Sequence, residues 1–214
     1  MRKRRSLKTV VDNLVPSAGS TFAALFQPPV ERRRDEWESD VTDDLRRLSA
    51  KSAVKIDDLP QNAAFVDAVL VATQAALRTS QPLKRQALRN AVLNAALASR
   101  PDVTVQQIFL TLTDRFTDRH LLLLQLAQDA TKLRRPDGSP LPIHSTASEV
   151  LNDAFPEARE NAQLYELLWT DLYAARLVRL PRLENGPEGD ARTIRRTTTL
   201  GDAYLAFITS PLAL

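Results

Sequence analysis

The stretch that decides the fold begins at Leu177-Val178-Arg179-Leu180 and passes a Gly/Pro turn, Asn185-Gly186-Pro187-Glu188-Gly189. It continues as Arg192-Thr193-Ile194-Arg195-Arg196-Thr197-Thr198-Thr199 and closes with Leu200-Gly201-Asp202-Ala203-Tyr204-Leu205-Ala206-Phe207. Two short β-prone segments around a Gly/Pro tip read as a hairpin. The apolar spacing after Thr199 reads as a closing helix over Leu200–Ile208. Upstream lie helical patterns only. The expected class is mainly α: a helical bundle followed by a smaller module with one β-hairpin.

Working toward the N-terminus, Pro156 to Arg176 predicts a long helix with Leu164, Leu168, Trp169 and Leu172 as its ridge. Thr146 and Glu149 form a capping box that opens a short helix through Phe155. Pro136-Asp137-Gly138-Ser139-Pro140 is a turn-rich loop. Thr117-Asp118 offers an N-cap, and the nearly uniform apolar run Leu121–Leu126 marks a buried helix. Further upstream, helices are expected over Val103–Phe116, Leu83–Ser99 and Asn62–Thr79, separated by Arg100-Pro101-Asp102 and Ser80-Gln81-Pro82. Loops this short make consecutive helices antiparallel neighbours. The Asn62–Thr79 stripe is expected to be Phe65, Val66, Val69, Leu70, Ala76 and Leu77. Pro29 starts a long amphipathic helix to about Lys51, with Val30, Trp37, Val41, Leu45 and Leu48 on one face. Its other face, dense in both charge signs, reads as solvated. The expected organisation is a basic and apolar arm over 1–28, a bundle over 29–116 and a module over 117–214.

Residues 118–210 resemble a winged-helix domain. The resemblance is carried by His120-Leu121-Leu122-Leu123-Leu124, Ala147-Ser148-Glu149-Val150-Leu151, Leu177-Val178-Arg179 and the return Thr199-Leu200-Gly201-Asp202-Ala203-Tyr204-Leu205. The first 116 residues resemble uncharacterised bacterial helical proteins, which implies no function. A DNA-binding winged helix sets its third helix in the major groove and its wing on the backbone. This chain departs from that pattern. Its third helix carries Glu157, Glu160, Glu166 and Asp171 against Arg159 and Arg176, and carboxylates are repelled by phosphates. The wing segment 176–196 carries Arg176, Arg179, Arg182, Arg192, Arg195 and Arg196 against Glu184, Glu188 and Asp190, a surplus of three positive charges. These six arginines are the candidate contacts to a protein partner or to phosphate. They also read as surface charges paired to neighbouring carboxylates.

Composition excludes several classes. The 214 residues carry a net charge of +3, too small to predict a general polyanion binder. There are no cysteines, so disulfides and thiol chemistry are absent and a cytoplasmic setting is expected. Five glycines leave no phosphate-cradling loop or dinucleotide fingerprint. Neither His120 nor His144 has the neighbours of a metal site. His120 is expected to cap or pack, His144 to be exposed. Asp43-Asp44, Asp57-Asp58 and Asp114 with Asp118 read as caps rather than acid–base pairs, and no serine sits in a nucleophile elbow. Tyr165, Trp169 and Tyr173 read as core or helix contacts. No catalytic residue, cofactor or metal is expected.

The N-terminal Arg2, Lys3, Arg4 and Arg5 precede a segment broken by Lys8, Asp12, Asn13 and Pro16, which does not make a signal peptide. With Phe22 and Phe26 they are the candidate contacts to an anionic membrane surface. The leading expectation is a non-catalytic protein-interaction or regulatory adaptor. A DNA-associated regulator is the alternative, and peripheral membrane association the third reading.

Overall fold

The computed structural model describes residues 19–183 and 190–213. Among these the chain is mainly helical. α1 spans Gly19–Lys51, α2 Ala63–Arg78, α3 Pro82–Ala95, α4 Val103–Arg115, α5 Asp118–Asp129, α6 Ala147–Ala154, α7 Ala162–Ala174 and α8 Thr199–Ile208. Short 3-10 turns at Ile56–Gln61, Ala130–Lys132, Pro156–Ala158 and Pro211–Ala213 complete the described elements.

Local chemistry sets most of the helix starts. The Asn62 side chain accepts from the Phe65 amide, Asp102 from Thr104 and Thr198 from Gly201, satisfying donors that no helix can pair internally. Thr146 and Glu149 form the expected capping box on α6. α5 has a less usual one, in which the Thr117 amide donates to His120 Nδ1 at 3.1 Å. Pro82 occupies the first turn of α3, where its missing N–H is harmless.

Three helix boundaries differ from expectation, the first being α3, which ends at Ala95 rather than Ser99. α1 begins at Gly19 and runs through Pro28-Pro29 rather than starting at Pro29. The expected Pro156–Arg176 helix divides into the 3-10 turn Pro156–Ala158 and α7. Pro156 fits a first helical turn, and α7 restarts after Asn161, whose φ and ψ of −121° and 38° are not helical.

α3 lies at the centre, packed against α1, α2, α4, α5 and α8. It buries Lys84, Ala87, Leu88, Asn90, Ala91, Val92, Leu93 and Ala95. The inward face of α2 is Phe65, Ala68, Ala72, Ala75 and Ala76, and Leu70 is 55% exposed. The expected stripe is therefore rotated. Small side chains on both helices permit close approach, so the alanine face packs inward and the bulkier Leu70 and Val71 stay outside.

α1 docks through Trp37, Val41 and Leu48 while Val30 is exposed. The Trp37 indole donates to Thr73 Oγ1 at 2.9 Å. Its charged face is not simply solvated: Arg89 of α3 pairs with Asp40 at 2.9 Å and Asp44 at 3.1 Å.

α8 packs into the centre of the N-terminal helices. Tyr204 is fully buried, edge-on to Phe109 at 5.3 Å, with its hydroxyl 3.0 Å from Thr113 Oγ1. The unpaired carbonyls at the end of α8 accept from α3: Asn90 donates to Ile208 O, and Asn94 to Phe207 O and Thr209 O. Buried residues on both sides of the expected 116/117 boundary belong to one cluster running from Trp37 to Ile208.

In the wing segment, the described strand pairing is one antiparallel bridge, Val178 with Thr197. Arg179 donates to Arg196 O and Thr198 to Leu177 O, both at 2.9 Å. No ladder extends from it among the described residues. The polar backbone of 190–196 is engaged elsewhere. Ala191 donates to His144 O, Arg196 donates to Ala127 O, and Arg192 O accepts from Ala130. Asp190 turns the chain by accepting from the Arg192 amide. The expected tip, Asn185–Gly189, lies outside the described residues. A second bridge, Arg134 with Pro140, closes the turn around Gly138.

Candidate interaction surface

α7 ends in a tight C-cap that aims the chain into the wing. Arg176 has a left-handed φ of 61°, its amide donates to Tyr173 O, and Leu177 donates to Leu172 O. That is a Schellman closure with arginine where glycine is usual. From there Val178 turns inward, and Arg179 and Leu180 face solvent.

The six wing-segment arginines do not share one environment. Arg196 is 8% exposed and its guanidinium donates to Ala191 O and Ile194 O. Arg192 forms a two-pronged pair with Asp190, at 2.9 and 2.6 Å, and also donates to Leu141 O. Arg192 thereby ties the segment to Leu141, whereas the Arg196 side chain bonds back onto the segment itself. Arg176, Arg179, Arg182 and Arg195 are exposed. Of these, Arg179 Nε donates to Thr197 O and Arg195 lies 3.4 Å from Asp202.

Between α6, the Pro156–Ala158 turn, α7 and residues 181–183 lies a cleft of about 760 Å³. Leu123, Leu151, Ala158, Tyr165, Trp169 and Leu183 supply its apolar lining; Ser148, Asn152, Arg159, Glu166, Thr170 and Arg182 supply polar groups. The Trp169 indole donates to Leu180 O at 2.9 Å, fixing the chain that forms one lip. Tyr165 donates its hydroxyl to Glu157 at 2.9 Å, and burial first, then that carboxylate, pushes its pKa well above the ordinary tyrosine range. Both aromatic polar atoms are thus satisfied. The sequence did single out Tyr165 and Trp169, but only as core. The cleft was not legible because its walls come from α5, α6, residues 158–159, α7 and residues 181–183, which only the tertiary fold brings together.

The two histidines are held by carboxylates. His120 stacks on Phe116 at 4.9 Å, and its Nε2 lies 3.4 Å from Asp171, which also accepts from Arg115 at 2.6 Å. Burial lowers its pKa despite Asp171, which acts in the opposite direction. His144, expected to be exposed, has a side chain only 17% accessible and sits 2.9 Å from Asp153. Arg135 pairs with the same carboxylate, and the Arg135 and His144 bonds hold Asp153 below the usual carboxylate range. Asp114 and Asp118 lie on separate helices, and Asp118 caps α3 by accepting from Leu83 and Lys84. Tyr173, expected in contact, is 38% exposed.

No cluster of three or more metal-ligating side chains occurs among the described residues, and no described helix is long and apolar enough to cross a membrane. Arg2, Lys3, Arg4 and Arg5 lie outside the described residues, as do the side chains of Phe22 and Phe26. Comparisons with known proteins find no matching family, no matching curated relative and no matching solved structure.

Proposed function

We propose that the chain is a non-catalytic interaction protein, a regulatory adaptor whose C-terminal winged-helix-like module supplies the contact surface. The order α5, α6, α7, the Val178–Thr197 bridge and α8 is compatible with that module. The observation that carries the functional reading is the cleft beside α7, a preformed concavity with aromatic walls and arginines at hand. Preformed pockets with apolar walls and a few polar groups are the usual form of a binding site. Aromatic and arginine side chains are also the commonest strong contributors at protein interfaces.

DNA association through the basic wing is the second reading, favoured by the exposure of Arg176, Arg179, Arg182 and Arg195. It is weakened by the exposed Glu160 and Glu166 around α7 and by the structural engagement of Arg192 and Arg196. Two measurements separate the readings. A photo-crosslinking residue at Thr170, on the cleft, is expected to capture a protein in cells, and one at Gln107 on α4 is not. Labelled duplex DNA is expected to show little binding at about 50 mM salt. Tight binding lost at about 200 mM salt and in a variant with Arg176, Arg179, Arg182 and Arg195 changed to Glu would replace the adaptor by the DNA-associated regulator.

A further inference from the structure

The cleft carries more information than its presence. Its aromatic residues have already spent their polar atoms, Trp169 on Leu180 O and Tyr165 on Glu157, so what they offer a ligand is ring surface. Arg159 and Arg182 also line it, both exposed, and neither forms an ion pair among the described residues. Most other arginines of the described chain have a carboxylate partner; Arg89, for example, has two. Glu166 is the one carboxylate among the described lining residues, leaving the cleft with a surplus of one positive charge.

Resting on the adaptor reading, we infer that this cleft takes an acidic amphipathic peptide segment of a partner protein. The segment sets apolar side chains against Tyr165 and Trp169 and pairs its carboxylates with Arg159 and Arg182. An anionic segment is selected because guanidinium groups match carboxylates in a planar, two-pronged geometry. A peptide rather than a small molecule is favoured because Leu180, next in the chain to the lip residue Pro181, is 46% exposed and offers apolar area outside the cleft. The two rim charges act on encounter rate and salt dependence, and the ring surface on residence time.

The test uses the full chain and two fluorescein-labelled peptides. One is an acidic amphipathic helix of Leu, Phe, Ala and Glu, and its counterpart has Lys at every Glu position. Anisotropy is expected to show binding of the acidic peptide alone. The double variant Arg159→Glu with Arg182→Glu, and separately Ala162→Trp, which fills the cleft from an exposed position, are each expected to weaken it about tenfold or more. Unchanged thermal unfolding confirms that the variants fold. Absence of acidic-peptide binding, equal binding of the basic peptide, or binding unaffected by either variant overturns the inference. A protein still captured from Thr170 in that event leaves the adaptor reading standing. Loss of both removes both.

Discussion

Gly201 sits in the first turn of α8 where the backbone of Leu177 passes against it. A Cβ built there would lie 2.1 Å from Leu177 O, 3.0 Å from its carbonyl carbon and 3.2 Å from its Cα. Since real Cβ atoms essentially never approach within 3.0 Å, Gly201→Ala requires a displacement of about 1 Å between α8 and the chain leaving α7. Neither side is a flexible side chain. Leu177 is fully buried, and its carbonyl accepts from the Thr198 amide at 2.9 Å. Forcing a group into a packed site costs about 1–3 kcal/mol. Stretching that hydrogen bond leaves a buried carbonyl unsatisfied, another roughly 1–3 kcal/mol. The expected destabilisation is about 2–6 kcal/mol, which in a chain of this size lowers Tm by roughly 4–24 °C. Urea and thermal unfolding followed by circular dichroism measure it. Gly138→Ala is the control, because Gly138 has a φ of 83° but nothing within 4 Å of a built Cβ. Its cost is the left-handed backbone alone, about 1–2 kcal/mol. A Gly201→Ala protein as stable as the parent, or no less stable than Gly138→Ala, would refute the close approach of α8 to Leu177.

Three further outcomes follow from the same structure. His120 has a folded pKa below its ordinary 6.5, so the unfolded chain binds more protons and stability falls as pH drops through about 6.5 toward the folded value. His120→Gln keeps a capping-box residue at that position, so it should flatten the decline between about pH 7 and 5.5; a parallel decline in both proteins would exclude His120 as its source. Arg196→Glu should destabilise by about 3 kcal/mol or more by burying an unpaired charge, and Arg195→Glu by about 1 kcal/mol or less. Equal Tm values for the two would contradict the burial of Arg196. Arg176→Gly should stabilise by up to about 1 kcal/mol, because glycine takes the left-handed C-cap without strain; a lower urea midpoint would show that the Arg176 side chain contributes more than its backbone costs.

Helix content was legible because it is written locally. Asn62, Asp102, Thr117, Thr146 and Thr198 each sit immediately before a helix and use short-range side-chain bonds to start it. The apolar spacing of α3 marks Leu83, Ala87, Leu88, Ala91, Val92 and Ala95 as its inward face, and all but the half-buried Leu83 are buried. The inward face of α2 did not follow from hydrophobicity. Ala68 and Ala72 are weaker signals than Leu70, yet small size counts for more where two helices approach closely.

What the sequence by itself determined was a helical chain, its main breaks, and the absence of thiol and glycine-loop chemistry, since all of these depend on residue identity or on neighbours a few positions away. Tertiary structure alone decided that α8 is held at its C-terminal end by Asn90 and Asn94, more than 100 residues upstream, and that Asp118 caps α3. It also separated the six wing-segment arginines into ties and exposed charges, and gathered Ser148, Arg159, Trp169 and Arg182 around one cleft. Charge and aromaticity are properties of single residues, but burial and pairing depend on which distant backbone arrives beside them.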